Sequence, residues 1–319
     1  MAKLFWTQKQ DIGPSARSNA AIAYDSARQR VVLFGGQSGS PLNDTWAWDG
    51  TLWTQVEDIG PPARSAHSLA FDSVRQRVVL FGGLSGSTVL GDTWEWDGTE
   101  WTQMADTGPS ARLGLEVTFD SKIQRVVLFG GMDQNSKPFA DTWIWDGNDW
   151  TQVQDVGPSA RINPGLAYDS VRDRVVLFGG SEVKTAPPAG YATPVFFPPL
   201  DDTWEWDANQ WTRAADTGPA PRGGHGMVYD GTNVLLFGGQ NTSALGFPGA
   251  LTEYFADTWQ WDGKHWTQLQ DIGPAPRLPA GMTFDSARNR SVLFGGSNQT
   301  GNLGDTWELY DPNAKVGGG

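Results

Sequence analysis

The sequence predicts an all-β fold, a β-propeller of six four-stranded blades arranged in a ring. One pattern recurs six times along the 319 residues, its last copy is incomplete, and a matching fragment stands at the N-terminus. The composition agrees, because 40 glycines, 17 tryptophans and only 18% charged residues are typical of short strands joined by tight turns.

A hydrophobic run ending in Phe-Gly-Gly anchors each repeat. Gly-Pro-x-x-Arg precedes the anchor and Asp-Thr-Trp follows it. The spacings between successive anchors are 47, 48, 49, 59 and 57 residues, a period typical of propeller blades. The anchor phenylalanines are Phe34, Phe81, Phe129, Phe178, Phe237 and Phe294.

The first repeat illustrates the four predicted strands. The small residues 18–24 form the first strand, and the β-branched run 31–34 forms a buried second strand. Residues 44–48 form the third strand, in which alternation places Trp46 and Trp48 on one side. A turn at Asp49-Gly50 leads to the fourth strand. Such units cannot bury their faces alone, so they are predicted to stack around an axis, with tryptophans between them.

The two chain ends predict how the ring closes. The last repeat stops after its third strand, and residues 5–8, Phe-Trp-Thr-Gln, are a spare fourth strand. Pairing the spare strand with the final third strand removes two exposed sheet edges. Residues 1–319 are thus expected to form one propeller, with residues 313–319 as a flexible tail.

The double glycine after a hydrophobic run, followed by spaced tryptophans, resembles the kelch-repeat family over nearly the whole chain. The version with Asp-Thr-Trp-x-Trp-Asp-Gly looks like bacterial kelch propellers. The resemblance implies the fold but not one activity, because kelch propellers include substrate adaptors, actin binders, sugar-processing enzymes and natural-product enzymes.

Charge and residue usage exclude several functions. The net charge of −13 argues against nucleic acid as a partner. The absence of cysteine excludes thiol catalysis and thiolate metal sites. No signal peptide or membrane-spanning run is recognised, which leaves cytoplasmic and secreted locations open. We expect a monomer that uses no cofactor and no metal.

One arginine per repeat is predicted near the face that carries the loops between strands two and three and between blades. As a ring, these arginines would bind an anionic ligand, as kelch adaptors hold acidic peptides. Alternatively, each braces its own blade. They are Arg17, Arg64, Arg112, Arg161, Arg222 and Arg277. The Asp of each Asp-Thr-Trp is expected to cap a turn or strand end.

Three residues break the repeat pattern on the predicted inner strands. His67 and His225 occupy equivalent places in opposite blades, where the other blades carry apolar residues, and they are candidate ligand contacts or, alternatively, structural residues. Glu116 is the one acid among small residues. A carboxylate in a narrow channel is a candidate general acid or base, or a hydrogen-bonding residue. The three lie on blades two, three and five, so a shared metal site is not predicted.

The longest predicted loops belong to blades four and five, at residues 181–200 and 240–256. Long loops on a rigid scaffold often carry binding, although these two alternatively pack on each other. Their aromatic residues are candidate ligand contacts: Tyr191, Phe196, Phe197, Phe247, Tyr254 and Phe255.

These observations support three hypotheses. The leading one is a binding scaffold that recognises a peptide, a protein or a small anionic ligand, mainly over blades four and five. The second is an enzyme acting on a sugar or other small molecule at the channel mouth, with Glu116 as the catalytic acid or base. The third is a repeat scaffold without an intrinsic ligand.

Overall fold

The computed structural model describes residues 4–9, 12–105, 107–154, 156–183, 198–242, 252–270 and 272–312. These residues form six four-stranded antiparallel sheets and two short hairpins. The part of the chain so described contains no helix long and apolar enough to cross a bilayer.

The strands follow one another blade by blade, apart from the first. Blade one contains β2 (Ala21–Asp25), β3 (Arg30–Phe34), β6 (Thr45–Trp48) and β7 (Trp53–Glu57), with the hairpin β4 (Gln37–Ser38) and β5 (Ser40–Pro41) between β3 and β6. Blade two contains β8 (Ser68–Asp72), β9 (Arg77–Ser85), β10 (Thr88–Trp96) and β11 (Trp101–Ala105). Blade three contains β12 (Leu113–Asp120), β13 (Arg125–Met132), β14 (Thr142–Trp145) and β15 (Trp150–Gln154).

Blade four contains β16 (Gly165–Asp169), β17 (Arg174–Phe178), β18 (Thr203–Trp206) and β19 (Trp211–Ala215). Blade five contains β20 (Gly226–Tyr229), β21 (Val234–Phe237), β24 (Thr258–Trp261) and β25 (Trp266–Gln270), with the hairpin β22 (Gln240–Thr242) and β23 (Thr252–Tyr254). Blade six contains β26 (Gly281–Asp285), β27 (Arg290–Asn298), β28 (Gly301–Tyr310) and the N-terminal β1 (Phe5–Gln8).

Blade one shows why this repeat forms strands and turns at these positions. The run Arg30–Phe34 is buried from Val31 onward, as a β-branched and aliphatic central strand should be. Trp46 and Trp48 pack into the same hydrophobic cluster, which confirms the predicted alternation. The Asp49 carboxylate accepts backbone hydrogen bonds across the turn, and Gly50 adopts φ 96°, a conformation that favours glycine.

The ring is closed, as the sequence predicts. The six innermost strands β2, β8, β12, β16, β20 and β26 contact one another in succession, and β26 contacts β2 again. β1 pairs antiparallel with β28, from Phe5 opposite Tyr310 to Gln8 opposite Trp307. The N-terminal strand therefore completes the last blade, and no blade keeps an unpaired third strand.

Tryptophans of the outermost strands join the blades. Each packs edge-on against the anchor phenylalanine of the preceding blade, and its indole N–H bonds the Thr hydroxyl of that blade's Asp-Thr-Trp. Trp6 obeys the same rule: its ring lies 5.0 Å from that of Phe237, and its Nε1 lies 3.0 Å from Thr258 Oγ1. The six Trp–Thr pairs are Trp53–Thr306, Trp101–Thr45, Trp150–Thr93, Trp211–Thr142, Trp266–Thr203 and Trp6–Thr258.

A ring of backbone hydrogen bonds also crosses every blade boundary. The second glycine of each Phe-Gly-Gly donates its N–H to the carbonyl of the repeated arginine in the next blade. The six bonds are Gly36–Arg64, Gly83–Arg112, Gly131–Arg161, Gly180–Arg222, Gly239–Arg277 and Gly296–Arg17. The bond from Gly296 to Arg17 crosses the closure, so the ring of bonds is complete. We call it the glycine girdle.

Candidate functional site at the channel mouth

The channel opens into a cavity of about 300 Å³ on the face that carries the strand two–three loops and the inter-blade loops. The inner strands of all six blades contribute to its lining, and Ser181 and Gln240 line it where the long loops of blades four and five begin. We call this cavity the mouth cavity. Its size reaches the lower end of the range typical of small-molecule sites.

Both predicted histidines line the mouth cavity and are buried, His67 with 5% and His225 with 6% of their surface exposed. Neither ring makes a hydrogen bond of normal geometry with the described residues, although the Phe34 backbone lies near the His67 imidazole and partly offsets the lowering of its pKa. Burial, and secondarily the charge of a nearby arginine, lowers the pKa of each imidazole to about 3. The imidazoles are therefore neutral at pH 7, and each offers one donor and one acceptor nitrogen.

The rings of these histidines pack between blades. His67 lies edge-on to Phe34 of blade one, with ring centroids 5.5 Å apart, and His225 lies edge-on to Phe178 of blade four at 5.5 Å. A Cβ on Gly165 of blade four would overlap His225 Nε2, so only glycine leaves room for the imidazole there. Packing and cavity lining are thus combined in the same side chains.

Glu116 also lines the mouth cavity. Ser68 of blade two donates its hydroxyl to Glu116 Oε2 over 2.7 Å and accepts the Val117 N–H over 3.1 Å. Burial raises the pKa of Glu116 to about 7, because these hydrogen bonds only partly offset the cost of removing a carboxylate from water. The group can therefore hold or release a proton near neutral pH.

The six repeated arginines are buried, with no more than 1% of their surface exposed, and they do not line the mouth cavity. Each guanidinium makes a bidentate pair with the Asp of its own blade's Asp-Thr-Trp and a bond to the first anchor glycine. Arg17 uses all five N–H donors in this way, on Ser15, Gly35 and Asp44. These contacts support the bracing alternative.

The Asp of Asp-Thr-Trp is the partner of the arginine, a role different from the expected turn or strand-end cap. The Asp44 carboxylate, for example, accepts two hydrogen bonds from the Arg17 guanidinium and one from the Trp46 indole N–H. Burial raises its pKa, but the hydrogen bonds from Arg17 and Trp46 and the charge of Arg17 outweigh burial, so the pKa is lowered overall. The other five aspartates have the same direction of shift: Asp92, Asp141, Asp202, Asp257 and Asp305.

The structure describes only two of the six loop aromatics. Tyr254 is the last residue of β23 and is half-buried. Phe255 stacks on Arg222, whose guanidinium carbon lies 3.9 Å from the ring centroid, as Phe139 does on Arg112 at 4.0 Å. Phe255 thus has a packing role. The remaining candidates, Tyr191, Phe196, Phe197 and Phe247, lie outside the described residues, as does the tail 313–319.

Sequence reasoning missed another set of mouth residues. The second residue after each repeated arginine lines the cavity, and five of the six have left-handed φ angles. They are Asn19 (51°), Ala66 (56°), Gly114 (64°), Asn163 (49°) and Gly224 (65°), while blade six carries Pro279. The available signal was the frequent Asn and Gly at this position, since both residues tolerate left-handed backbone.

No cluster of three or more metal-ligating side chains occurs among the described residues. A second cavity of about 290 Å³ opens at the opposite end of the channel and is lined largely by apolar and aromatic residues such as Phe71 and Phe119. Glu116 and both channel histidines line the mouth cavity and not the second cavity, which makes the mouth the candidate functional site.

Fold and repeat pattern together define a kelch-type β-propeller. The sequence matches the family model described as KLHDC2/KLHL20/DRC7 Kelch-repeats domain over residues 2–180, more than half of the chain. The chain belongs to the kelch-repeat family. Propellers of this family are generally interaction scaffolds, and kelch domains commonly mediate protein interactions.

Individual relatives match a smaller part of the chain than the family model does. The chain is 37% identical over 91 residues to human Host cell factor 2 and to Host cell factor 1 of Rattus norvegicus, and 28% of the chain is aligned in each case. The alignments span only 11% and 4% of those proteins. Among solved structures, that titled "Structure of YjhT" superposes with a TM-score of 0.75 over 95% of this chain and 97% of the other, at 14% identity. This likeness concerns the fold.

Proposed function

We propose that the protein is a non-catalytic binding module that receives a neutral polar group, from a partner or a small ligand, in the mouth cavity. The observation that carries the proposal is the cavity of about 300 Å³, whose lining includes the neutral amide side chains of Asn19, Asn163 and Gln240 besides the two histidines. A ligand with matching donors and acceptors gains about 0.5–1.5 kcal/mol for each hydrogen bond that it makes with these side chains.

A neutral ligand fits the mouth better than the small anionic ligand considered from the sequence. The arginines are paired with aspartates, and the described lining of the cavity includes neither lysine nor arginine. The histidines are neutral at pH 7, and the chain carries a net charge of −13. An anion would thus enter without a compensating cation, at a large desolvation cost.

The long loops of blades four and five support a larger contact surface beside the cavity. In the blade-four insertion, Ser181 forms an antiparallel β-bridge with Pro199, and the Glu182 N–H donates to the Pro198 carbonyl. In the blade-five insertion, β22 pairs with β23. Both insertions thus begin and end as antiparallel ladders next to residues that line the mouth. We propose that a partner contacts these loops while one of its groups enters the cavity.

Deletion of residues 184–197, with Val183 joined to Pro198 through two glycines, tests the role of the loop. Leu200 must stay, because it hydrogen-bonds Gly180 and Arg222 as Leu42 does in blade one. We expect the deletion to abolish binding of a partner and to leave the melting temperature nearly unchanged. Unchanged binding after the deletion would show that the blade-four loop does not contact the partner.

A matched pair of variants tests the mouth itself. Glu116→Trp fills the mouth cavity, whereas Thr118→Trp, two residues further along β12, fills the opposite cavity. The probe is a panel of neutral amides and polyols, followed by ligand-observed NMR. We expect binding to survive Thr118→Trp and to disappear with Glu116→Trp. The reverse result, or retention in both variants, would place binding elsewhere. A wild-type protein that binds no member of the panel favours a scaffold without ligand.

A second candidate is an enzyme that uses Glu116 as an acid or base on a neutral sugar. It is favoured by the pKa of about 7, which is suited to proton transfer at neutral pH. The test is the interconversion of sugar anomers, followed by NMR on freshly dissolved aldoses. Under this hypothesis Glu116→Gln abolishes turnover while the ring stays folded, and normal turnover in that variant excludes it.

A further inference from the structure

A second ring of backbone hydrogen bonds lies at the channel mouth, and it is incomplete. It consists of the residues two positions after the repeated arginines, and in blades two to five each of them donates its N–H to the carbonyl of its counterpart in the preceding blade. We call it the mouth girdle. Its four bonds are Ala66–Asn19, Gly114–Ala66, Asn163–Gly114 and Gly224–Asn163, with N···O distances between 2.7 and 3.0 Å.

The girdle is interrupted in blade six by Pro279. Proline has no N–H to donate to Gly224, and its fixed negative φ prevents the left-handed conformation that the other five residues share. Among the described residues, no backbone hydrogen bond pairs the Gly224 carbonyl, the Pro279 carbonyl or the Asn19 N–H. The glycine girdle, which crosses the same boundaries with six bonds, shows that the gap is local.

The unpaired groups lie where a ligand can reach them. Asn19 is exposed and Gly224 is partly exposed, and both line the mouth cavity together with Pro279. One donor and two acceptors are thus left without backbone partners on the rim, at the two boundaries that blade six forms with blades five and one. Gln240, at the start of the blade-five insertion, lines the same cavity and pairs with Gly223.

We propose that this gap is a subsite for a primary carboxamide, an inference that rests on the proposed binding function of the mouth. A primary carboxamide carries one carbonyl acceptor and two N–H donors, the complement of the Asn19 N–H and the Gly224 and Pro279 carbonyls. A carboxylate has no donor for the two carbonyls, and an ammonium group has no acceptor for the Asn19 N–H. The carboxamide comes from a small molecule or from a Gln or Asn side chain of a partner.

The test uses propanamide and N,N-dimethylpropanamide as probes, followed by saturation-transfer NMR. The two molecules share the carbonyl, but only propanamide has N–H donors. We expect transfer to propanamide in the wild-type protein and about tenfold weaker binding of the dimethyl compound, the loss typical of one to two hydrogen bonds. Equal binding of both compounds overturns the proposal.

Pro279→Gly provides the decisive variant, because glycine restores the N–H and accepts left-handed φ, which closes the mouth girdle. Ala66→Gly is the matched control, since it changes the same position in blade two and keeps its N–H. We expect propanamide binding to fall about tenfold in Pro279→Gly and to persist in Ala66→Gly. Binding that persists in both variants overturns the carboxamide subsite but leaves the mouth as a binding site.

Amide hydrogen exchange gives a readout that needs no ligand. In the wild-type protein the Asn19 amide should exchange much faster than the bonded Asn163 amide, and Pro279→Gly should slow it. A protected Asn19 amide in the wild-type protein contradicts the gap itself. Failure of the whole neutral panel to bind, by contrast, overturns the proposed function.

A blocked glutamine, N-acetylglutamine methylamide, distinguishes the two sources of the carboxamide. Tighter binding than propanamide, lost on deletion of residues 184–197, indicates a partner's side chain. Binding equal to that of propanamide indicates a small molecule. Absence of binding by both compounds overturns the subsite.

Discussion

The repeated arginine is the residue whose role depends most on its surroundings. In sequence it is a candidate anion-binding ring, whereas in the structure each guanidinium is buried against the Asp of its own blade, as Arg112 is against Asp141 at 2.7 Å. The pair holds the start of the first strand to the start of the third. Equal numbers of the two residues, one pair per repeat, were the signal for bracing.

The braces predict an acid-sensitive fold. Because the pKa of each paired aspartate is lowered in the folded state, the stabilisation is present above the unfolded value near 3.8 and disappears as pH falls through the lower folded value. We expect the contribution of the braces to the melting temperature to be constant above about pH 5 and to fall steeply below about pH 4.

Asp141→Asn should weaken this acid dependence and lower stability at pH 7 by about 3 kcal/mol, because it leaves the Arg112 charge buried and uncompensated. Asp149→Asn, an exposed change in the same blade, is the control. Thermal unfolding between pH 3 and pH 8 measures both. If the two variants lose equal stability at pH 7, the brace contributes nothing.

Glu116 predicts the opposite pH dependence. Its folded pKa of about 7 exceeds the ordinary value of 4.5, so its cost to stability is absent below pH 4.5, grows as pH rises and is complete above pH 7. Glu116→Gln removes the ionisation and keeps an acceptor for Ser68. We expect the variant to match the wild-type protein near pH 4 and to exceed it by on the order of 1–3 kcal/mol at pH 8. A stability difference that does not change with pH contradicts the raised pKa.

At the scale of elements, the blade interfaces differ in polarity. Between blades two and three, the Glu95 carboxylate accepts hydrogen bonds from the Arg75 guanidinium over 2.5 Å and from the Trp145 indole N–H over 2.9 Å. Glu205 does the same with Arg172 and Trp261 between blades four and five. We call this arrangement the polar latch.

Between blades three and four, the position of the latch is apolar instead. Ile123 and Ile144 stand where the latch has arginine and glutamate, and they pack with Ala208 of the next blade. Among the described residues, the Trp206 indole N–H has no hydrogen-bond partner. Ala208 replaces the glycine that the latch requires, because a Cβ on Gly147 would stand 2.7 Å from the Arg75 guanidinium. Changes at these positions should therefore be coupled.

The coupling gives a prediction for a multiple variant. Ile123→Arg with Ile144→Glu should destabilise the protein, by about 1–3 kcal/mol, because Ala208 blocks the new arginine. Adding Ala208→Gly should restore most of the loss, since it opens the space and relieves a left-handed alanine at φ 75°. Chemical denaturation of the double and triple variants measures this. If Ala208→Gly does not restore stability to the double variant, the three positions are not coupled and the proposed latch geometry is wrong.

At the scale of the whole molecule, closure depends on one short strand. β1 supplies Trp6, which contacts Phe237 and Thr258 of blade five, and its backbone pairs with β28. Blades one to four receive the same contacts from the next blade in sequence, and blade six receives them from Trp53 of blade one. The N-terminal strand therefore links the ends of the chain into one cooperative unit.

Removal of residues 1–9 should expose the edge of β28 and uncover the blade-five interface. We expect a large fall in melting temperature together with concentration-dependent association through the free edge. Trp6→Ala, which keeps the strand, should cost about 3 kcal/mol without association. Differential scanning calorimetry and sedimentation distinguish the two variants. A truncated chain that melts like the wild-type protein would show that the inner strands alone maintain closure.

Much of this architecture was predictable because the repeat is local. Blade number, strand order, the tryptophan contacts and the closing role of residues 5–8 follow from a pattern read six times, since each blade makes similar contacts to its neighbours. The unusual positions His67, Glu116 and His225 were also visible, because they depart from the repeat on a strand whose side was known.

Sequence by itself thus determined a closed ring of six kelch blades and the strands that face its channel. Only the tertiary structure decided which polar groups have hydrogen-bond partners inside the protein. The arginines bond aspartates, the Glu116 carboxylate accepts from Ser68, and at four of the six mouth-girdle positions the N–H donates to a carbonyl of the neighbouring blade. The physical reason is that hydrogen-bond satisfaction depends on distances between blades. A repeat pattern describes each blade, whereas a partner across a blade boundary is settled only when the ring is assembled.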